Sequence, residues 1–369
     1  MNILILNWRD PQHPLAGGAE ISLFHHASYW KSKGATITWC ASSYKGSRGE
    51  ENKDGILYIR RGSHFTSFIQ FFIFFLRSKK HYDVIIDCFH FFPYFSIFYR
   101  GKPKVIGLIN EVAGKIWFEN LFFPLAAIGF ILEPFIIRKY KKQSFITGSE
   151  SARDDLLKVG LSSKKIHVIH HGFTPWKRSL VAKKNPHSLV FLARISKDKG
   201  IEDAIEVVDR ISKKHKNVHL TIIGKSESEQ YQDHIVNMIK KRKLGQYCTI
   251  VGFVTEDQKF SILSKSKLLI HPSIKEGWGL NVIEANSVGT PAIGYRVAGL
   301  VDSIVDGKTG RLVEQNIESL YSGTLSLLED DLTYKKMCKE AILWSKKFSW
   351  EEAGRESFKL INDQIRSGK

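Results

Sequence analysis

The sequence predicts an α/β protein made of two domains of similar size, each a largely parallel sheet covered by helices. Three observations carry this. The 369-residue chain has room for two or three domains of ordinary size. Short apolar runs alternate with longer helical stretches from end to end, the rhythm of strands joined by crossover helices. In both halves a strand-like run leads through a glycine-bearing loop into a helix start, which leaves backbone N–H groups unpaired and aimed at whatever lies before the loop.

In the first half a strand is expected at Asn2 to Asn7. Its apolar opening is closed after a few residues by Trp8-Arg9-Asp10, so it reads as a strand and not as a signal peptide. A loop through Pro11, Pro14 and Gly17-Gly18 enters a helix from about Ala19 to Lys33, which Gly34 stops. The amides of Gly17, Gly18 and Ala19 form a possible phosphate cradle, although the G-x-G-x-x-G of dinucleotide folds is absent. Further strands are expected at Thr36 to Ala41, Val84 to Cys88, Val105 to Ile109, Ser144 to Thr147 and Ile166 to Ile169. Ser151, three residues before Asp154, supplies helix-start chemistry. His170-His171-Gly172-Phe173 closes the domain, and Thr174 to Pro186, basic and bounded by prolines, reads as a linker.

The second half opens with a strand at Ser188 to Ala193, followed by Arg194-Ile-Ser-Lys197-Asp-Lys199-Gly200 and a helix. Strands follow at Thr221 to Gly224 and Cys248 to Gly252, and Thr255 with Gln258 forms a capping box. Between the apolar runs Leu268-Leu269-Ile270 and Thr290 to Tyr295 lies Glu276-Gly-Trp-Gly-Leu-Asn-Val-Ile-Glu284. It reads as a loop carrying Glu276 and a helix carrying Glu284, with the two acids about two turns apart on nearly the same side. Ser349-Trp350-Glu351-Glu352 starts a last helix that runs to about Arg366.

Charge and aromatics are uneven. The net charge is +18; the first 181 residues hold 25 Lys and Arg against 13 Asp and Glu, together with 19 of the 24 Phe. A basic, Phe-rich half suits an anionic surface. No zinc-finger spacing or RNA-recognition signature accompanies the charge, which argues against nucleic acid. Phe65 to Leu76 is followed by Arg77, Lys79 and Lys80, and Ile116 to Ile137 by Arg138, Lys139, Lys141 and Lys142. The first run is shorter than the ~20 residues a span needs. Glu119, Asn120, Pro124, Glu133 and Pro134 interrupt the second. Both, as groups, are expected to be interfacial helices with basic flanks, although each Phe taken singly is better placed in a core. Cys40, Cys88, Cys248 and Cys338 lie far apart with no metal-ligand spacing, as expected of reduced thiols in a cytosolic protein.

Two carboxylates beside a cluster of amide donors suit a ligand bearing hydroxyls and phosphates, such as a nucleotide sugar. The Glu276/Glu284 spacing, its flanking glycines, Gly299 to Gly307 after the next strand and the Gly307-Lys308-Thr309-Gly310 turn together resemble glycosyltransferase family 4, retaining enzymes of the GT-B fold. The resemblance implies two Rossmann-like domains facing a cleft. Residues 1–175 would form the acceptor-side domain and 187–348 the nucleotide-sugar domain, with 349–369 as a helix crossing back to the first.

A departing sugar diphosphate develops negative charge, which must be met by cations or aligned dipoles. The chain has no D-x-D to hold a metal. By the resemblance Arg194 and Lys199 contact the diphosphate, with Gly277, Trp278, Gly279 and Leu280 around it. Glu276 meets the transferred sugar, and Glu284 binds the ribose. Phe253 and Val254 frame the base, and Gly17 and Gly18 face the diphosphate from the first domain. Where family members often carry a histidine, this chain has Asn110-Glu111, so His90 is the nearest candidate to touch acceptor or sugar. The implied function is metal-independent transfer of a sugar to a glycan or lipid-linked, membrane-proximal acceptor in surface polysaccharide or glycolipid synthesis. No cofactor is implied, and the enzyme would sit in the cytoplasm against the inner face of an anionic membrane. A GT-B epimerase or phosphorylase on soluble substrates, and a basic adaptor with a degenerate site, stay open, as does the oligomeric state.

Overall fold

The computed structural model describes residues 1–90, 92–176 and 184–367, without the side chains of 119 and 120. Residues 177–183, inside the expected linker, therefore lie outside the described residues, as do the side chains of Glu119 and Asn120. The chain forms two compact units, Met1–Gly172 with Ser349–Lys369, and Phe173–Phe348.

In the first unit the elements are β1 (Asn2–Leu6), α1 (Gly18–Ser32), β2 (Thr36–Ala41), β3 (Glu50–Lys53), β4 (Ile56–Arg60), α2 (Ser67–Arg77), β5 (Val84–Cys88), β6 (Lys104–Leu108), α3 (Trp117–Asn120), α4 (Phe123–Lys139), β7 (Ser144–Thr147), α5 (Glu150–Val159) and β8 (Ile166–Val168). Over the described residues they build an eight-stranded sheet in the order β3-β4-β2-β1-β5-β6-β7-β8. All pairs are parallel except β3 with β4. The sequence reading had no strand between Ala41 and Val84. The hairpin there turns at Asp54-Gly55, both at positive φ, and Asp-Gly is the dipeptide that signals such a turn.

Period-two alternation sends side chains to both faces of the sheet. Ile3, Ile5, Ile37, Trp39 and Val84 pack beneath α1. Leu4, Leu6, Cys40, Ile85 and Phe145 pack on the other face with Phe71 of α2, Ile137 of α4 and Leu156 of α5. Because the central strands are covered on both sides, they read as continuous apolar runs.

The second unit contains β9 (Ser188–Leu192), α6 (Ile201–Lys214), β10 (His219–Ile223), α7 (Glu229–Lys241), β11 (Cys248–Gly252), α8 (Glu256–Lys265), β12 (Leu268–His271), α9 (Leu280–Ser287), β13 (Ala292–Tyr295), α10 (Leu300–Ser303), β14 (Gly310–Val313), α11 (Ile317–Glu329) and α12 (Asp331–Ser345). Its described strands form a six-stranded parallel sheet, β11-β10-β9-β12-β13-β14. The chain winds outward from β9, then returns to β9's other side with β12. Connections leaving the carboxyl ends of β9 and β12 diverge to opposite faces, and a crevice opens between them.

The last helix, α13 (Trp350–Arg366), starts where Ser349 accepts the Glu352 N–H at 3.1 Å. It packs in the first unit against α1. A Cβ on Gly354 would lie 2.4 Å from the Tyr29 side chain, so glycine sets the closeness of this crossing. Trp30 Nε1 donates to the buried Ser357 hydroxyl at 2.9 Å.

The loop after β1 is fixed by charge. Arg60 of β4 donates from Nε to Asp10 at 2.5 Å and from a terminal nitrogen to Glu51 at 2.8 Å, with both Arg60 and Asp10 fully buried. Removing Asp10 leaves the buried Arg60 guanidinium with Glu51, which is part-exposed, as its one remaining acidic partner among the described residues. Asp10→Ala should therefore lower stability by about 3–5 kcal/mol, measured by denaturant unfolding; a loss under about 1 kcal/mol would mean that the pair is solvated.

Candidate active site

The loops after β9 and β12 meet at one atom, Glu276 Oε1. Lys199 Nζ lies 2.8 Å from it, Ser273 Oγ donates at 2.9 Å and His271 Nε2 lies at 3.1 Å. Lys199 comes from the β9 loop and the other two from the end of β12. Gly200, at φ +70, lets the loops touch: a Cβ there would stand 2.1 Å from the Pro272 carbonyl oxygen. Behind Glu276, a Cβ on Gly299 would reach 2.2 Å from the Glu276 carbonyl oxygen.

Burial of Glu276 disfavours its charge, but the Lys199 ammonium and the His271 hydrogen bond outweigh that and hold its pKa well below the ordinary range. An ionised carboxylate only accepts, so the His271 ring carries its proton on Nε2. His271, Ser273 and Asp198 were not identified as site residues from sequence. The His271-Pro272-Ser273 run leaving an apolar strand was the available signal. Asp198 sits 3.6 Å from Lys199 and 3.5 Å from Arg194. Arg194 is half exposed, which leaves its guanidinium in reach of solvent-borne anions.

Gly279, at φ +89, caps α9, whose first N–H groups precede any intrahelical acceptor. Asn281 donates to the Leu192 carbonyl and ties this helix start to the end of β9. One turn further, Glu284 receives Lys259 at 2.7 Å, and Lys259 also reaches Glu256 at 2.8 Å. Burial raises the Glu284 pKa, with Lys259 opposing. Phe253 is 74% exposed at the end of β11, with the Lys225 ammonium 4.9 Å from its ring centre and Val254 beside it. Trp278 corrects the expectation that it lines the ligand side. Its ring is buried and packs edge-on against Phe348 with Phe173 and Ile283, so only Trp278 backbone belongs to the loop surface between Gly277 and Leu280.

The first unit has its own switch point, between β1 and β5. Gly17 N–H donates to Glu20 Oε2 at 2.7 Å, while Gly18, the first residue of α1, is exposed. Glu20 is buried and pairs with Arg9 at 3.2 Å, and His90 Nε2 lies 3.8 Å from it. Trp8 stacks on His64 at 3.8 Å, carries Arg9 on its ring at 4.4 Å and meets His90 edge-on. Burial first, then Arg9 and His64, push the His90 pKa down to about 3, so its imidazole is neutral. Asn110 and Glu111 follow β6, one strand further out, both partly buried. Among the described residues no group of three or more His, Cys, Asp or Glu could hold a metal ion.

A family profile described as Glycosyl transferases group 1 matches residues 173–344, and one described as Glycosyltransferase Family 4 matches 16–176. Glycogen synthase of Mycobacterium tuberculosis is 25% identical over 215 residues, covering 57% of this chain and 51% of its own. The match thus spans about half the length of that curated relative. Among solved structures, sucrose-phosphate synthase from Thermosynechococcus elongatus superposes with a TM-score of 0.82 at 17% identity over 99% of both chains. A glycosyltransferase from Rickettsia africae gives 0.73 at 19% identity over 99% of this chain and 98% of its own. At these identities the likeness is one of fold.

Lys199→Met removes the leading favourable charge from Glu276 and leaves its burial, so the Glu276 pKa should rise, as read by carbon NMR titration of the carboxyl. A carboxyl with a depressed folded pKa stabilises above its unfolded value, about 4.3, and loses that stability as pH falls through the folded one. The native protein should therefore keep this contribution to lower pH than Lys199→Met. Equal Glu276 titration in the two proteins would refute the pairing.

Proposed function

Because the chain belongs to the GT-B glycosyltransferases related to glycosyltransferase family 4, we propose that it moves a sugar from a nucleoside diphosphate, with retention and without a metal. The acceptor is lipid-linked or membrane-proximal, and the product is a surface polysaccharide or glycolipid made at the cytoplasmic face of the membrane. The observation that carries this reading is the convergence of Lys199, His271 and Ser273 on Glu276 at the carboxyl ends of β9 and β12. A parallel sheet binds its ligand at this crevice.

Each residue has a task in such a transfer. Lys199 and Arg194 meet the charge that grows on the diphosphate as the glycosidic bond breaks, Lys as a point charge and Arg as a fork. The α9 N-terminus, at Gly279 and Leu280, adds aligned dipoles. Glu276 keeps its charge because three donors hold Oε1, and its other oxygen is the atom we assign to the sugar's hydroxyls or its positive anomeric carbon. The leaving phosphate oxygen lies on the face where the acceptor hydroxyl attacks and takes that proton, so no separate base is required. Glu284 accepts from the ribose hydroxyls, and Phe253 and Val254 frame the base. In the first unit, His90 and the Asn110-Glu111 segment are the acceptor-side candidates. The neutral His90 ring serves as a hydrogen-bonding group.

A thermal-shift screen over UDP-, GDP- and ADP-sugars should find a donor that raises the melting temperature, and membrane extract should then receive labelled sugar. Glu276→Gln should lower kcat roughly 100-fold or more, an electrostatic loss of about 3 kcal/mol. Full activity in Glu276→Gln would overturn the assignment. Release of an altered free sugar without acceptor would point to an epimerase, and no donor response at all to a binding protein.

A further inference from the structure

Helix α4 is apolar around most of its circumference, yet only Ala126, Gly129, Glu133 and Ile137 are buried. These positions fall at three- and four-residue spacing and make one narrow seam. At Gly129 an added Cβ would stand 2.3 Å from the Trp117 ring. Glu133, which in the sequence only interrupts an apolar run, turns inward and accepts from Ala113 N–H at 2.7 Å, Gly114 N–H at 2.9 Å and Trp117 Nε1 at 3.1 Å. The helix is thus pinned firmly while Phe123, Leu125, Ile128, Ile131 and Phe135 remain exposed.

Helix α2 repeats the arrangement. Phe71 is in the core, and Phe65, Ile69, Phe72 and Leu76 form an exposed stripe at helical spacing. Phe71 and Ile137 share one core beneath the sheet, so the two helices cover the same face of the first unit. A helix apolar on most sides is stable only where something covers it. Charge selects the cover. Exposed Arg77, Lys79 and Lys80 end or follow α2, and exposed Arg138, Lys139, Lys141 and Lys142 end or follow α4. Neither helix carries an acid on its exposed side, Glu133 being buried. A second copy would bring the same positive rim and be repelled, whereas anionic headgroups complement it. Among the described residues no helix is long and apolar enough to cross a membrane.

We infer that this face of the first unit is a seat on an anionic bilayer, with α2 and α4 lying in the interface and the basic rim on the headgroups. The inference rests on the proposed membrane-proximal acceptor for its purpose and names the surface that reaches it. The α2 stripe begins at Phe65, whose ring lies 5.0 Å from His64 in the switch-point cluster. The seat therefore runs up to the polar groups where an acceptor head drawn from the bilayer would arrive.

The test uses the full chain with phosphatidylcholine vesicles made with or without about 30% phosphatidylglycerol. The protein should co-sediment with the anionic vesicles, less with the neutral ones and less at high salt. Ile128→Glu with Ile131→Glu, and separately Ile69→Glu with Leu76→Glu, should each weaken binding roughly tenfold or more, with the far-UV spectrum and the donor-induced thermal shift unchanged. No co-sedimentation of the native protein with either vesicle overturns the seat. A dimer that the same substitutions dissociate, without vesicle binding, overturns it in favour of a second copy. Loss of the donor response alone would sink the transferase reading and leave the seat standing.

Discussion

The loops at the carboxyl ends of β9 and β12 depend on a single buried oxygen. Glu276 Oε1 accepts from two different loops, so the Lys199 loop and the His271-to-Glu276 loop cannot be placed independently. A carboxylate taken out of water costs several kcal/mol unless it is paired and hydrogen-bonded. Three donors meet that requirement, and the pairing fixes where the Lys199 charge stands. The glycines follow from the same constraint. Gly200 and Gly299 stand where one more carbon would enter the Pro272 or the Glu276 carbonyl, separating the loops that the carboxylate joins.

The first unit shares the topology and uses it differently. Both sheets part their connections beside the first strand, so both offer a crevice at carboxyl ends. In the second unit Gly279, at φ +89, caps α9 without a side-chain hydrogen bond. In the first, Glu20 folds back onto the Gly17 N–H and also holds Arg9. Beside that pair stand the neutral His90 imidazole and the Trp8 indole.

Local chemistry was legible in the sequence, and chemistry assembled across the sheet was not. Glycine stops, the Ser349 and Thr255 caps and the Glu276-to-Glu284 spacing depend on residues within a turn or two of each other, and the elements lie where those residues put them. Lys199 could be joined to the His271-to-Glu276 loop only once β12 was set beside β9, because it is far away in sequence from the carboxylate it shares with His271 and Ser273. Trp278 went the other way: beside two glycines it resembles a ligand contact, but its apolar ring has a ready pocket against Phe348. Gly17-x-x-Glu20 is a capping pattern without the usual Ser or Thr, so the sequence does not mark the Glu20 carboxylate as the acceptor of the Gly17 N–H. The Asp54-Gly55 hairpin carried its signal in plain view, yet its polar outer strand, Glu50–Lys53, lacks the apolar alternation that marks a strand.

The Phe-rich composition could not be divided by counting, since a phenylalanine in the core and one at an interface look alike in sequence. The fold divides it by what each helix has beneath it. Phe71, Phe89 and Phe145 fill one core, whereas Phe65, Phe123 and Phe135 stand outside it. An exposed apolar surface of this kind favours self-association unless something opposes contact between copies. The exposed Arg77, Lys79, Lys80, Arg138, Lys139, Lys141 and Lys142 at the ends of these helices are such an opposition, because like-charged rims must be desolvated against each other before the apolar faces can meet. The same charge lowers the energy of approach to an anionic layer. Phe and Lys in this half therefore act together, the one needing cover and the other deciding which cover is accepted.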